Sequence, residues 1–81
     1  MEIKILGTGC QKCKTLERMT HEVIIENNID ASVSKVEDIM DIMKYGIIAT
    51  PGLVINESVV ISGRLPSKDE IKTQIEKSTN G

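Results

Sequence analysis

Cys10-Gln11-Lys12-Cys13 places the only two cysteines of the chain three positions apart, directly after a short apolar run and a Gly7-Thr8-Gly9 turn. Two thiols at this spacing can close a disulfide between themselves or hold a soft metal ion. Scattering two cysteines at random over 81 residues produces this separation in roughly 2 % of arrangements, so the spacing itself carries information. A disulfide closing so short a loop gains only ~2 kcal/mol in the chain-entropy model, which makes it a poor staple. A working redox couple is the reading that makes best use of the pair.

The rest of the composition narrows the field. Eighty-one residues make a single domain with a modest core. The apolar residues are nearly all Ile, Val, Leu and Met, with Tyr45 the sole aromatic, so the core is aliphatic and no surface for stacking bases is available. A net charge of −2, with basic residues spread along the chain, speaks against nucleic-acid binding. Met1-Glu2-Ile3-Lys4-Ile5-Leu6 is too short and too charged for a signal peptide, and no apolar stretch approaches the ~20 residues that span a bilayer. The expectation is a cytoplasmic protein without a membrane segment. In that reducing compartment a Cys-x-x-Cys pair is catalytic or metal-binding more often than a permanent bridge.

The elements that must position the thiols follow from the patterning. Glu2 to Leu6 reads as a short strand, closed by glycines that allow a tight turn and a close backbone approach. From Gln11 to Asn27 the residues Cys13, Leu16, Thr20, Val23 and Ile24 recur at three- and four-residue steps, as on a helix packed along one side. Ala31 to Val36 reads as an edge strand, and Glu37-Asp38 supply negative charge to the start of a helix that runs to Tyr45 and stops at Gly46. After Thr50-Pro51, Leu53-Val54-Ile55 and Val59-Val60-Ile61 form a hairpin about Asn56-Glu57-Ser58. Ser67-Lys68-Asp69-Glu70 matches a capping box that opens a last helix, with Ile71 and Ile75 facing inward. The domain is expected over residues 1–77, with residues 78–81 a frayed tail. The order β-α-β-α-β-β-α predicts an α/β fold, a four-stranded mixed sheet flanked by helices. In such open sheets chemistry gathers beyond the carboxyl end of a central strand, where Cys10 lies.

These features resemble the thioredoxin superfamily: Cys-x-x-Cys after the first strand, and Thr50-Pro51 directly before the third. The chain is similar in particular to small thioredoxin-like, redox-active disulfide proteins of archaea and bacteria. The shared stretches are Gly9-Cys10-x-x-Cys13, Tyr45-Gly46-Ile47, Thr50-Pro51 and Gly63-Arg64-x-Pro66-Ser67, and the resemblance extends over nearly the whole chain. The resemblance implies a compact thioredoxin-like fold and a thioredoxin- or glutaredoxin-like protein disulfide oxidoreductase working through a reversible Cys10-Cys13 disulfide, although the full glutathione-binding pattern of glutaredoxins is not found in the chain. It also implies a cis Thr50-Pro51 peptide whose exposed backbone meets the substrate. The chain departs from thioredoxin in three places. No tryptophan precedes Cys10, Gln11-Lys12 replaces Gly-Pro, and Lys4 stands near where thioredoxin buries a carboxylate.

At a helix entrance, free amide hydrogens and the positive dipole end favour the Cys10 thiolate, which makes Cys10 the nucleophile. Cys13, one turn in, is the resolving thiol. Gly9, Gln11 and Lys12 are candidates for tuning the pair. This scheme calls for no cofactor and no metal. Its partners are disulfide-containing proteins and a thioredoxin-reductase-like enzyme, with the protein itself a monomer. The competing assignment is a Cys-x-x-Cys module that binds or delivers a soft metal, although two thiolates do not complete a tetrahedral zinc site and no second pair is present. A non-catalytic interaction domain is the third. His21 reads as an exposed helix residue rather than a ligand or base, Lys4 as a solvent-reaching side chain or an influence on thiol acidity, Tyr45 as packing beside the Gly46 turn or offering a functional hydroxyl, and Arg64 as a loop or partner-binding residue. Met19, Met40 and Met43 read as core filler rather than metal ligands.

Overall fold

The structure is a computed structural model that describes residues 1–80. The strands are β1 (Glu2–Leu6), β2 (Ser32–Val36), β3 (Gly52–Ile55) and β4 (Ser58–Ser62). The helices are α1 (Gln11–Glu26), α2 (Ile39–Lys44) and α3 (Lys68–Asn80), interleaved as β-α-β-α-β-β-α. The sheet order is β2-β1-β3-β4, with β1 parallel to β2 and antiparallel to β3, and β3 antiparallel to β4. The sheet is therefore mixed and β1, which delivers the cysteines, is central.

Alternation along the strands splits the apolar residues between two faces. On one face Ile3 and Ile5 of β1, with Leu53 and Ile55 of β3, pack on Leu16 and Val23 of α1 and on Ile71 and Ile75 of α3. On the other, Leu6 and Val54 pack on Ile42 of α2 and on Ile47. Burying this aliphatic set supplies the driving force for folding, at roughly 1.5–3 kcal/mol per large side chain. Thr20, fully buried on α1, donates its hydroxyl hydrogen to the Leu16 carbonyl at 2.8 Å, so it enters the core without an unpaired polar atom.

Local signals set the element ends. Asp38 caps α2, its carboxylate accepting from the backbone N–H groups of Met40 and Asp41, and Gly46 closes it by donating its N–H to the Met43 carbonyl. The β3–β4 turn is tighter than the three residues anticipated. Asn56 and Glu57 alone form it, both at positive φ (49° and 68°), the backbone of a two-residue hairpin turn matched to strand twist, and Ser58 belongs to β4. The register then slips between Leu53 and Val54, leaving a bulge at Val60 that short-range patterning does not reveal. The capping box forms reciprocally: Glu70 N–H donates to Ser67 Oγ at 3.1 Å and Ser67 N–H to Glu70 Oε1 at 3.2 Å. Helix α3 continues beyond residue 77, with Ser78 Oγ donating to the Gln74 carbonyl, while Gly81 lies outside the described residues.

Two expectations need correction. Met40 and Met43 are not core filler: they are 68 % and 61 % exposed, whereas Met19 packs against the core. A six-residue helix contributes one buried side chain, Ile42, and its other apolar residues face outward. Lys4 is not a side chain reaching into solvent. It lies on the α2 face of β1, its ammonium 2.6 Å from Glu57 Oε1 and 2.9 Å from the Tyr45 hydroxyl oxygen. These partners raise its pKa, Glu57 most strongly, and the Glu57 carboxyl is held below the usual carboxylate range mainly by Lys4. Arg64 forms a two-pronged pair with Glu70, at 3.1 and 2.7 Å, which lowers the Glu70 pKa together with the Ser67 N–H.

A carboxyl whose pKa is lower in the folded than in the unfolded chain stabilises the fold above the ordinary carboxylate range, and that contribution disappears as the pH falls. Both pairs are solvent-exposed and screened, so each effect is modest. In Glu70→Gln the fall in melting temperature from about pH 6 to about pH 3 is expected to be smaller than in the parent, measured by circular dichroism. Equal falls in the two proteins would remove the Arg64–Glu70 pair from the account.

Candidate active site

β1 ends at Leu6 and α1 begins at Gln11, so only four residues separate the centre of the sheet from the helix. Gly9, at φ 90°, takes a backbone conformation that L side chains rarely adopt, and the chain turns there into α1. Cys10 follows in extended conformation as the N-cap, a place usually held by an oxygen-bearing side chain. Its sulfur accepts the backbone N–H of Cys13 at 3.2 Å. No acidic residue stands in the first turn of α1, so nothing there offsets the positive end of the helix dipole at this sulfur.

Cys10 and Cys13 are joined by a disulfide, with their Cα atoms 5.0 Å apart. Their surroundings differ sharply: Cys10 is exposed, whereas Cys13 is only 5 % exposed. A short flexible substrate sulfur can reach the first and not the second. Gln11 and Lys12 are both exposed on the first turn.

Gly7 makes the packing possible. It is buried between Cys13 and Thr50; a Cβ at this position would overlap the Cys13 sulfur and come 4.0 Å from Thr50 Cβ. The glycine thus brings the disulfide and the Thr50 loop side by side. The turn sequence showed that close approach was possible, and the structure identifies Gly7 as the residue that requires it. Gly9, by contrast, has open space where its Cβ would stand and serves through its backbone conformation.

The Thr50-Pro51 peptide is cis. Pro51 is fully buried and its carbonyl accepts the Gly63 N–H at 2.9 Å, tying the loop to the end of β4, while Thr50 is half-buried. Beyond it opens an apolar groove of about 470 Å³ lined by Thr8, Ile39, Met43, Ile47, Ile48 and Thr50. Thr8 and Thr50 belong to the segments that carry and flank the disulfide, so the groove is continuous with the reactive surface. Sequence reasoning missed this surface, although the run Ile39-Met40 with Met43, on a helix too short to bury all of it, was the available signal.

The remaining candidates stand apart from the sulfurs. His21 is exposed on α1 two turns beyond Cys13. Lys4 and Tyr45 interact with each other and with Glu57 on the α2 face of the sheet, and Arg64 is engaged with Glu70. Among the described residues no group of three or more His, Cys, Asp and Glu side chains is arranged to hold a metal ion.

Comparison with known proteins agrees with this geometry. A family model described as a thioredoxin domain matches residues 1–76. A thioredoxin of Methanothermobacter thermautotrophicus is 42 % identical over 72 residues, covering 89 % of this chain and 94 % of the relative. A thioredoxin of Methanocaldococcus jannaschii is 34 % identical over 79 residues, covering 98 % and 91 %. The solved structure of thioredoxin 1 from the thermophilic eubacterium Thermosipho africanus superposes with a TM-score of 0.64 at 20 % identity, covering 99 % of this chain and 96 % of that one, which establishes the shared fold. The family match along nearly the whole chain and the Cys10-Cys13 disulfide at the head of α1 lead to one conclusion: this chain belongs to the thioredoxin family and is a thiol-disulfide oxidoreductase.

Proposed function

We propose that the protein reduces disulfides in other proteins, with Cys10 as the attacking thiolate and Cys13 as the resolving thiol. The observation that carries this assignment is the asymmetry of the pair: an exposed sulfur at the amide-lined N-terminus of α1, and a buried one a turn further in. The Cys10 thiolate attacks a substrate sulfur, forming the Cys10–substrate bond and expelling the other substrate sulfur as a thiolate, which takes a proton from solvent. The Cys13 sulfur, having lost its proton, then attacks Cys10. The Cys10–Cys13 bond forms, the substrate bond breaks, and the second substrate sulfur leaves as a thiolate that is protonated in turn. Two electrons have passed from the protein to the substrate.

Thr50-Pro51 forms the wall against which an extended substrate segment lies, and the groove between that wall and α2 receives apolar side chains flanking the substrate disulfide. The continuity of the groove with Thr8 and Thr50 supports this placement. Gly9, Gln11 and Lys12 adjust the thiolate from the first turn. A thioredoxin-reductase-like enzyme returns the pair to the dithiol state, and the protein acts as a cytoplasmic monomer. No described helix is long and apolar enough to cross a membrane.

Cys10→Ser is expected to abolish reduction of insulin disulfides, while Cys13→Ser accumulates a mixed disulfide through Cys10 that mass spectrometry detects. Activity retained in Cys10→Ser would overturn the assignment. The groove has its own test. Met43→Lys is expected to raise KM for a protein disulfide several-fold by losing roughly 1 kcal/mol of apolar contact, with unchanged rates on a small disulfide such as 5,5′-dithiobis(2-nitrobenzoate). A uniform effect on both substrates would remove the groove from substrate binding.

A further inference from the structure

The second step of this reaction makes a demand that the Cys10–Cys13 pair does not meet by itself. Cys13 must lose a proton to attack, yet it is almost fully buried, and desolvation favours the neutral thiol. The residues of β1 offer no acceptor beside this sulfur: Ile5 and Leu6 are apolar, Lys4 points to the α2 face, where it is engaged with Glu57, and the Glu2 carboxylate lies with Lys4, 3.4 Å from its ammonium. The one histidine is exposed and two turns along α1.

Against Cys13, and sharing no lining residue with the apolar groove, lies a small pocket of about 100 Å³ whose lining includes Gly7, Cys13, Lys14, Glu17, Lys35 and Glu37. It has room for a few water molecules and enough polar groups to hold them. Glu17 is four residues after Cys13, so both side chains project from the same side of α1. Its side chain is 29 % exposed, against 58 % for Glu37, and Lys35 Nζ on the edge strand β2 stands 3.8 Å from Glu17 Oε1 and 4.0 Å from Glu37 Oε1. The charged groups facing Glu17 are thus Lys14 from its own helix, Lys35 from β2 and Glu37 from the segment after β2; β1 contributes none.

Taking the Cys10 nucleophile assignment as given, we propose that Glu17 is the proton acceptor for the resolving thiol, receiving the Cys13 proton through water in the pocket it shares with that sulfur. As Cys13 attacks the Cys10–substrate disulfide, the S–H electron pair becomes the new Cys13–Cys10 bond. The proton passes to the Glu17 carboxylate, and the substrate sulfur departs with the electrons of the broken bond. Glu17, being partly exposed, releases the proton to solvent. Lys35 positions the carboxylate between the edge strand and α1, so the pocket stays in register with the sulfur. In the reverse direction, when the disulfide is reduced, the same carboxyl returns a proton to Cys13.

An aromatic disulfide separates the two steps. Mixed in stopped flow with an equimolar amount of 5,5′-dithiobis(2-nitrobenzoate), the reduced protein releases one thionitrobenzoate when Cys10 attacks and a second when Cys13 resolves the mixed disulfide. In Glu17→Gln the first release is expected at the parental rate, and the second to slow by roughly ten- to a hundredfold near neutral pH, within the range of a lost proton acceptor. The second release should then rise about tenfold per pH unit as hydroxide takes over, a dependence that the parent lacks. Glu37→Gln should follow the parent in both phases. An unchanged second phase in Glu17→Gln, equal slowing of both phases, or a selective effect of Glu37→Gln instead would overturn the role of Glu17. Loss of the first phase in Cys13→Ser would count against the Cys10 assignment itself, independently of Glu17.

Discussion

The hydrogen bond from the Cys13 backbone N–H to the Cys10 sulfur joins the chemistry to the fold, because one contact caps a helix and addresses the reactive atom. A sulfur is a weaker cap than the oxygen of Ser, Thr or Asp when neutral, and a much better acceptor as a thiolate. The cap therefore favours the thiolate of Cys10, the form that the proposed mechanism requires. It works only while α1 is held at the end of β1, and the packing of Leu16 and Val23 against Ile3, Ile5, Leu53 and Ile55 holds it there. The aliphatic core on that face of the sheet is what keeps the sulfur where the helix end can act on it.

Gly7 adds the second constraint. Without a side chain at this residue, the Cys13 sulfur sits against the Gly7 backbone just beyond β1, and Thr50 approaches the same position. The buried thiol, the half-buried Thr50 wall and the apolar groove beyond it are thus neighbours because one position carries only hydrogen. The apolar groove toward α2 and the charged pocket toward Glu17 and the β2 edge share no lining residue, so the proposed mechanism assigns substrate access and proton removal to separate surfaces.

Much of this was legible in the amino-acid sequence because it is written in short-range pattern. The Cys-x-x-Cys spacing, the three- and four-residue apolar steps of α1 and the Ser67–Glu70 capping box each act within a few residues, and the structure has α1 and the capping box in place. Long-range partners left no such trace. Lys4 finds Tyr45 and Glu57 from positions 41 and 53 residues away, and nothing local says that these three meet on one face of the sheet. The methionines of α2 misled for a related reason. Apolar residues on a six-residue helix do not show how many of them the sheet can cover, and here it covers Ile42 alone. The bulge between Leu53 and Val54 and the meeting of Glu17 with Lys35 likewise depend on strand register, which alternation alone does not specify.

The division of labour between the two sulfurs is the central claim, and it is measured most directly by alkylating the reduced protein with limiting iodoacetamide and locating the label by peptide mass spectrometry across a range of pH. The account predicts that Cys10 is labelled well ahead of Cys13 and that its labelling persists to lower pH than that of an unperturbed thiol. Labelling of Cys13 at a rate equal to or above that of Cys10 would contradict it.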